Sequence, residues 1–139
     1  MSRLLIEDDS VDLLEMIKYI VEHNGYIAKT LNNSNDIYHE IYEYQPDLLI
    51  LDIFIGGMDG RELCKELRKH VDTAYFGILA MSASPKALMD YKSFYADDFL
   101  EKPFDIKFLI EKISSILVWT PIRKKAFSLS TPIAPSKKD

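Results

Sequence analysis

Polar side chains with the potential for chemistry stand at the ends of four short apolar runs of the sequence. They are Glu7 and Asp8 after the first run, Asp52 at the end of the third, Ser82 after the fourth and Lys102 after the fifth. Three carboxylates that meet at one place need a counter-charge if they are to stay ionised. Mg²⁺, a hard cation that prefers oxygen ligands, and the Lys102 ammonium would both supply it. The set therefore predicts an acidic pocket for Mg²⁺.

Asp52 is the candidate nucleophile of this set, because it closes a buried-strand pattern directly before a glycine-rich turn. A carboxylate shielded by a cation can attack phosphorus and form an acyl phosphate. The new phosphoryl oxygens would be neutralised by Mg²⁺ and Lys102. They would be hydrogen-bonded by the Ser82 hydroxyl and by backbone N–H groups of residues 53–56.

A regular alternation of strand and helix patterns is expected to bring these residues together. The apolar runs predict strands at residues 4–6, 26–31, 48–52, 76–81 and 98–101. The third and fourth runs are almost continuously apolar, which favours a parallel sheet covered on both faces and so an α/β fold. The carboxyl ends of parallel strands meet at one edge, where open α/β sheets bind ligands.

A helix pattern follows each strand. The predicted limits are Ser10 to Asn24-Gly25, Ser34 to Pro46, residues 60–70, a start at Pro85, and residues 105–118. A serine before the first helical residue can accept a backbone N–H, and proline suits the first turn of a helix. Five β-α units are therefore expected.

Length and composition limit the class of protein. With 139 residues, of which 47% are hydrophobic and 28% charged, the chain is expected to form one domain with a single core. No apolar run reaches the roughly 20 residues of a membrane span, and the amino terminus lacks the apolar stretch of a secretory signal. The single Cys64 excludes an internal disulfide and fits a reducing compartment. A cytoplasmic protein is the expectation.

Charge divides the chain into an acidic body and a basic end. Residues 1–118 hold 12 of the 17 basic residues and 21 of the 22 acidic ones. This balance argues against nucleic-acid binding by the domain itself. Residues 119–139 are basic and rich in Pro, Ser, Thr and Lys, with no strand or helix pattern. They are predicted to be a flexible basic tail that follows a domain of residues 1–118.

At the polar strand ends and the segments around them, the sequence resembles the receiver domain of two-component response regulators. The resemblance lies in residues 4–9, 47–60, 81–83 and 96–104 and extends over roughly residues 3–118. It implies a flavodoxin-like (βα)5 fold, with a five-stranded parallel sheet in the order 2-1-3-4-5 and helices on both faces. It implies a phosphoacceptor and not an enzyme, one that at most catalyses its own phosphorylation and dephosphorylation.

The resemblance assigns roles in phosphorylation and switching. Asp52 would be the phosphoacceptor, and Lys102 the lysine that contacts the phosphoryl group. Ser82 would be the hydroxyl residue that swings toward the phosphoryl group, and Phe99 the aromatic switch residue. The Lys102-Pro103 peptide bond would be cis, as proline permits.

The resemblance also assigns a set of Mg²⁺ ligands. Asp8 would bind the ion directly and Glu7 through water, while Asp52 and the backbone carbonyl of Phe54 would be further ligands. Two residues depart from the family pattern: Gly56 stands where proline is common, and Phe54 is bulky. Because Phe54 would lie beside the path of a hydrolytic water, we hypothesise that it slows dephosphorylation.

The implied partners are proteins. A sensor histidine kinase or a histidine phosphotransfer protein would donate the phosphoryl group, and an unidentified downstream protein would read the switch. A homodimer through the face formed by the fourth helix, fifth strand and fifth helix is a further expectation of the resemblance. The domain itself is expected to bind neither nucleic acid nor a membrane.

Three other functions are open to the same residues. A receiver-like interaction module that is never phosphorylated is disfavoured because the reactive set is intact. An aspartyl-phosphate phosphatase of the haloacid dehalogenase type would need an acid where Phe54 stands. A flavodoxin is disfavoured because Glu7, Asp8 and Asp9 would repel the phosphate of a flavin nucleotide.

Overall fold

The computed structural model describes residues 1–33, 35–55, 58–70 and 74–130, with side chains left out at residues 55, 58 and 124–130. The predicted cap at Ser34, the departure at Gly56 and the last nine residues of the predicted tail lie outside the described residues. No helix in the described ranges has the length and apolar character needed to cross a membrane.

Five strands form one parallel sheet at the centre of the molecule. They are β1 (Arg3–Glu7), β2 (Ile27–Leu31), β3 (Leu48–Asp52), β4 (Gly77–Ser82) and β5 (Asp98–Glu101). Their order across the sheet is β2-β1-β3-β4-β5, and all four neighbouring pairs are parallel. This is the flavodoxin-like order, so the predicted fold class is confirmed.

In the described part of the chain, five α-helices and one turn of 3₁₀-helix connect and follow the strands. The helices are α1 (Val11–His23), α2 (Ile37–Tyr44), α3 (Gly60–Lys69), α4 (Pro85–Leu88) and α5 (Ile106–Ser130), and the 3₁₀ turn is Tyr91–Phe94. Ser10 caps α1 as predicted, because its Oγ accepts the Leu13 N–H at 3.2 Å. Pro85 opens α4, also as predicted.

The core has two layers because the strands are apolar on both faces. Leu49 and Leu51 of β3 pack on one side with residues of α2, α3 and α4. Leu48 and Ile50 of the same strand pack on the other side with residues of α1 and α5. Alternate side chains of one strand thus feed both layers, as expected for a sheet covered by helices.

Residues 119–130 correct the sequence prediction, which ended the last helix at Val118 and made this segment a flexible tail. Helix α5 instead continues to Ser130. Thr120 is 2% exposed, and its Oγ1 donates to the Ile116 carbonyl. The Arg123 guanidinium is 2.6 Å from Asp97 Oδ1. The burial of Thr120 and the ion pair of Arg123 with Asp97 hold a segment whose composition alone does not favour a helix.

A short hairpin follows β3 and was not predicted. Phe54–Ile55 pairs antiparallel with Met58–Asp59, with Phe54 opposite Asp59. The hairpin leads directly into α3, which begins at Gly60. The Lys102-Pro103 peptide bond is cis, as the resemblance implied.

Candidate functional site

One ammonium group joins two buried carboxylates at the carboxyl edge of the sheet. Lys102 Nζ lies 2.6 Å from Asp8 Oδ2 and 3.0 Å from Asp52 Oδ2. Asp8 is fully buried and Asp52 is 6% exposed. The strand ends are level, since Glu7 of β1 pairs with Leu51 of β3. Residues that are far apart in the sequence therefore meet at this edge.

The second oxygen of each carboxylate is held by a backbone N–H. Ser10 N donates to Asp8 Oδ1 at 2.9 Å, and Phe54 N donates to Asp52 Oδ1 at 3.0 Å. Burial raises the pKa of Asp52 despite the opposing hydrogen bonds from Phe54 and Lys102. The pKa of Lys102 is raised: burial opposes this, but the hydrogen bonds to Asp8 and Asp52 outweigh it. Lys102 is thus a fixed positive charge.

Glu7 lies beside this pair without a partner of its own. It is fully buried, and within the described residues neither of its carboxylate oxygens has a hydrogen-bond partner. Burial, followed by the negative charges of Asp52 and Asp8, raises its pKa to about 8. Lys102 alone does not balance three carboxylates, so Glu7 requires either a proton or another cation.

The acidic residues at this edge fit a divalent cation. Carboxylate oxygens of Asp8, Asp9 and Asp52 lie within 4.8 Å of one another. Asp9 is exposed, which leaves one side open to the water ligands that Mg²⁺ usually retains. The orphaned carboxylate of Glu7 supports the fit because it adds unbalanced negative charge. Asp9 was not among the predicted ligands, although its place as the third acid in a row was a visible signal.

No described side-chain contact joins Ser82 or Phe99 to Asp8 or Asp52, although the Ser82 backbone carbonyl accepts the Lys102 N–H at 2.8 Å. Ser82 ends β4, is 2% exposed, and its Oγ accepts the Ser84 N–H at 3.0 Å. Phe99 is half-buried on β5, with its ring 5.2 Å from the Tyr91 ring and 4.4 Å from Lys112 Nζ. The structure brings together Asp8, Asp52 and Lys102, with Glu7 adjacent. The roles of Ser82, Phe99 and the Phe54 carbonyl stay predictions.

Comparison with known proteins identifies the family. The family model for the response regulator receiver domain matches residues 4–114. A protein described as a response regulator from Chloroflexus aurantiacus is 31% identical, with a TM-score of 0.79 over 84% of this chain and 98% of that one.

Two further solved structures agree. Response regulator TrrA of Thermotoga maritima, in complex with Mg²⁺ and BeF, is 29% identical, with a TM-score of 0.75 over 84% of this chain and 99% of that one. A two-component response regulator from Clostridium difficile is 25% identical, with a TM-score of 0.76 over 85% and 97%. The strand order, the acidic edge and these matches agree, and the chain belongs to the response regulator receiver domain family.

Proposed function

We propose that Asp52 receives a phosphoryl group, in a Mg²⁺-dependent reaction, from the phosphohistidine of a sensor kinase or phosphotransfer protein. The observation that carries this proposal is the Lys102 ammonium between Asp8 and Asp52, with the orphaned Glu7 beside them. One buried carboxylate held by a cation at the ligand edge of the sheet is suited to nucleophilic attack.

In the proposed reaction, one carboxylate oxygen of Asp52 attacks phosphorus, and an O–P bond forms. The P–N bond to the donor imidazole breaks, and its electron pair stays on the ring nitrogen. Lys102 holds a positive charge beside the reacting carboxylate, while the Phe54 N–H fixes the orientation of Asp52. Asp8, Asp9 and Asp52 would hold Mg²⁺, whose charge would be available to neutralise phosphoryl oxygens when the ion is bound.

The signal would be a shift between two conformations, as in other phosphorylation switches. Ser82 Oγ would exchange its bond to the Ser84 N–H for a bond to the phosphoryl group. Phe99 would then leave its contacts with Tyr91 and Lys112. These residues border the face of α4, β5 and α5, which we propose as the surface that a downstream protein reads.

The test is phosphorylation by a small donor. Incubation with Mg²⁺ and acetyl phosphate should add the mass of one phosphoryl group to the intact protein. Asp52→Asn and addition of a chelator should each abolish the gain, because they remove the nucleophile and the cation. Asp36→Asn, which changes an exposed aspartate directly before α2, should retain the gain. A wild-type protein that gains no mass would favour the unphosphorylated interaction module.

Phe54 should slow the loss of the phosphoryl group. Phe54 is 48% exposed and its N–H donates to the acceptor carboxylate, and we propose that its ring lies beside the path of the hydrolytic water. We expect Phe54→Asn to lose the group several-fold faster once the donor is removed. Phe108→Asn is the matched control because Phe108 is 57% exposed on α5. An unchanged or slower loss in Phe54→Asn would contradict the expectation.

A further inference from the structure

The start of α3 is packed directly on the segment that carries Asp52. Gly60 N donates to the Ile53 carbonyl at 2.7 Å. A Cβ at Gly60 would lie 2.6 Å from Ile53 Cα and 3.1 Å from the Asp52 carbonyl oxygen. No larger side chain fits there without displacing backbone, so the first turn of α3 is in direct backbone contact with the Asp52 segment.

Arg61 is fixed at the start of this helix by a single carboxylate. The Asp59 side chain accepts the Arg61 backbone N–H at 2.9 Å. It also accepts hydrogen bonds from Arg61 Nε at 3.0 Å and from Arg61 Nη2 at 2.9 Å. This is the bidentate pairing that a planar guanidinium favours. The hydrogen bond from the Arg61 side chain is the main reason that the pKa of Asp59 is lowered. The guanidinium is therefore held in one orientation.

The fixed guanidinium meets the ring of Phe54. Arg61 Cζ lies 5.2 Å from the centre of that ring, within the range of a cation–π contact. The Phe54 backbone is held separately, since it pairs with Asp59 and its N–H donates to Asp52 Oδ1. The backbone of Phe54 is thus tied to the acceptor, while its half-exposed ring contacts a residue of α3.

We propose that Arg61 is a positioning residue that keeps the Phe54 ring against the acceptor and so prolongs the acyl phosphate on Asp52. This inference rests on the proposed function. In hydrolysis, a water oxygen attacks phosphorus and the bond between phosphorus and the Asp52 oxygen breaks. The carboxylate keeps the electron pair, inorganic phosphate leaves, and a proton passes to solvent. A ring held in place obstructs the approach of that water, whereas a released ring does so less.

The test is the decay of phosphorylated protein after acetyl phosphate is removed, followed by intact mass. We expect Arg61→Gln to shorten the half-life by about threefold, the rate equivalent of a partly exposed cation–π contact. The half-life of Arg61→Lys should lie between those of the wild type and Arg61→Gln, because lysine keeps the charge but loses the planar fork. Lys65→Gln removes a charge further along α3, where Lys65 pairs with Glu62, and should leave the half-life unchanged.

A double variant separates positioning from a general effect on the helix. In a Phe54→Ala background, Arg61→Gln should cause no further acceleration, because the ring on which Arg61 acts is gone. Equal acceleration in both backgrounds, or an unchanged half-life in Arg61→Gln and Arg61→Lys, would overturn the inference while leaving the phosphoacceptor role intact. A wild-type protein that gains no phosphoryl group would overturn the proposed function, and this inference with it.

Discussion

Replacement of Lys102 by methionine should lower the free energy of unfolding by about 3 kcal/mol at neutral pH in a chelator, the cost of breaking a buried ion pair. The ammonium contacts two carboxylates that are almost fully buried. Methionine has a similar length but supplies no charge and no donor. Asp8 and Asp52 would then repel each other in a poorly solvated place, or one of them would have to take up a proton.

Urea unfolding of the wild type and the variant measures this difference. Lys107→Met is the matched control, because Lys107 is an exposed lysine on α5. Addition of Mg²⁺ should restore much of the stability lost in Lys102→Met, since the cation takes over the neutralising charge. The difference should also shrink at acidic pH, where the carboxylates are protonated. Equal stability of the two lysine variants would show that Lys102 does not balance the acidic edge.

A second large effect is expected from Glu7 when no metal is present. Its pKa is about 8 in the folded protein, against an ordinary value of 4.5. Below the ordinary value the carboxyl is protonated in both the folded and unfolded states, so its contribution to stability is fully present there. As the pH rises from about 4.5 to about 8, the unfolded chain ionises while the folded chain keeps its proton, and above 8 the carboxyl is ionised in both states. Stability should therefore fall across this range.

Glu7→Gln should remove this fall, because glutamine has no proton to lose. Between about pH 5 and about pH 9 in a chelator, the wild type should lose about 4 kcal/mol more stability than the variant. The comparison uses the slope of unfolding free energy against pH for each protein. The cost of burying the glutamine amide does not depend on pH, so it does not affect the slope. In the wild type, the stabilisation by Mg²⁺ should grow with pH, since binding favours the ionised carboxylate. Parallel slopes for the two proteins would contradict the burial of an unpaired Glu7.

Local sequence patterns were sufficient to predict an α/β fold with a parallel sheet. The continuous apolar character of β3 and β4 indicated a parallel sheet, and Ser10 and Pro85 marked two helix starts. The sheet order came from the family resemblance. Parallel strands end at one edge, so the convergence of Asp8, Asp52 and Lys102 followed from their places at strand ends.

Features that depend on tertiary contacts could not be predicted in this way. The composition of residues 119–130 gave no sign that Thr120 would be buried or that Arg123 would pair with Asp97. The hairpin after β3 is too short for a strand pattern. The contact of Arg61 with Phe54 joins two residues whose spacing has no meaning until the hairpin and α3 are in place.

The length of α5 determines where a stable fragment of this chain should end. The family match ends at residue 114, but Ile116 packs over Gly77 and the Arg123 guanidinium donates to the Phe76 carbonyl at 3.1 Å. A fragment that stopped at residue 114 would expose the amino-terminal end of β4. That end lies at the edge of the sheet away from Asp52. Fragments for crystallisation, for domain fusions or for interaction screens should therefore run past Arg123.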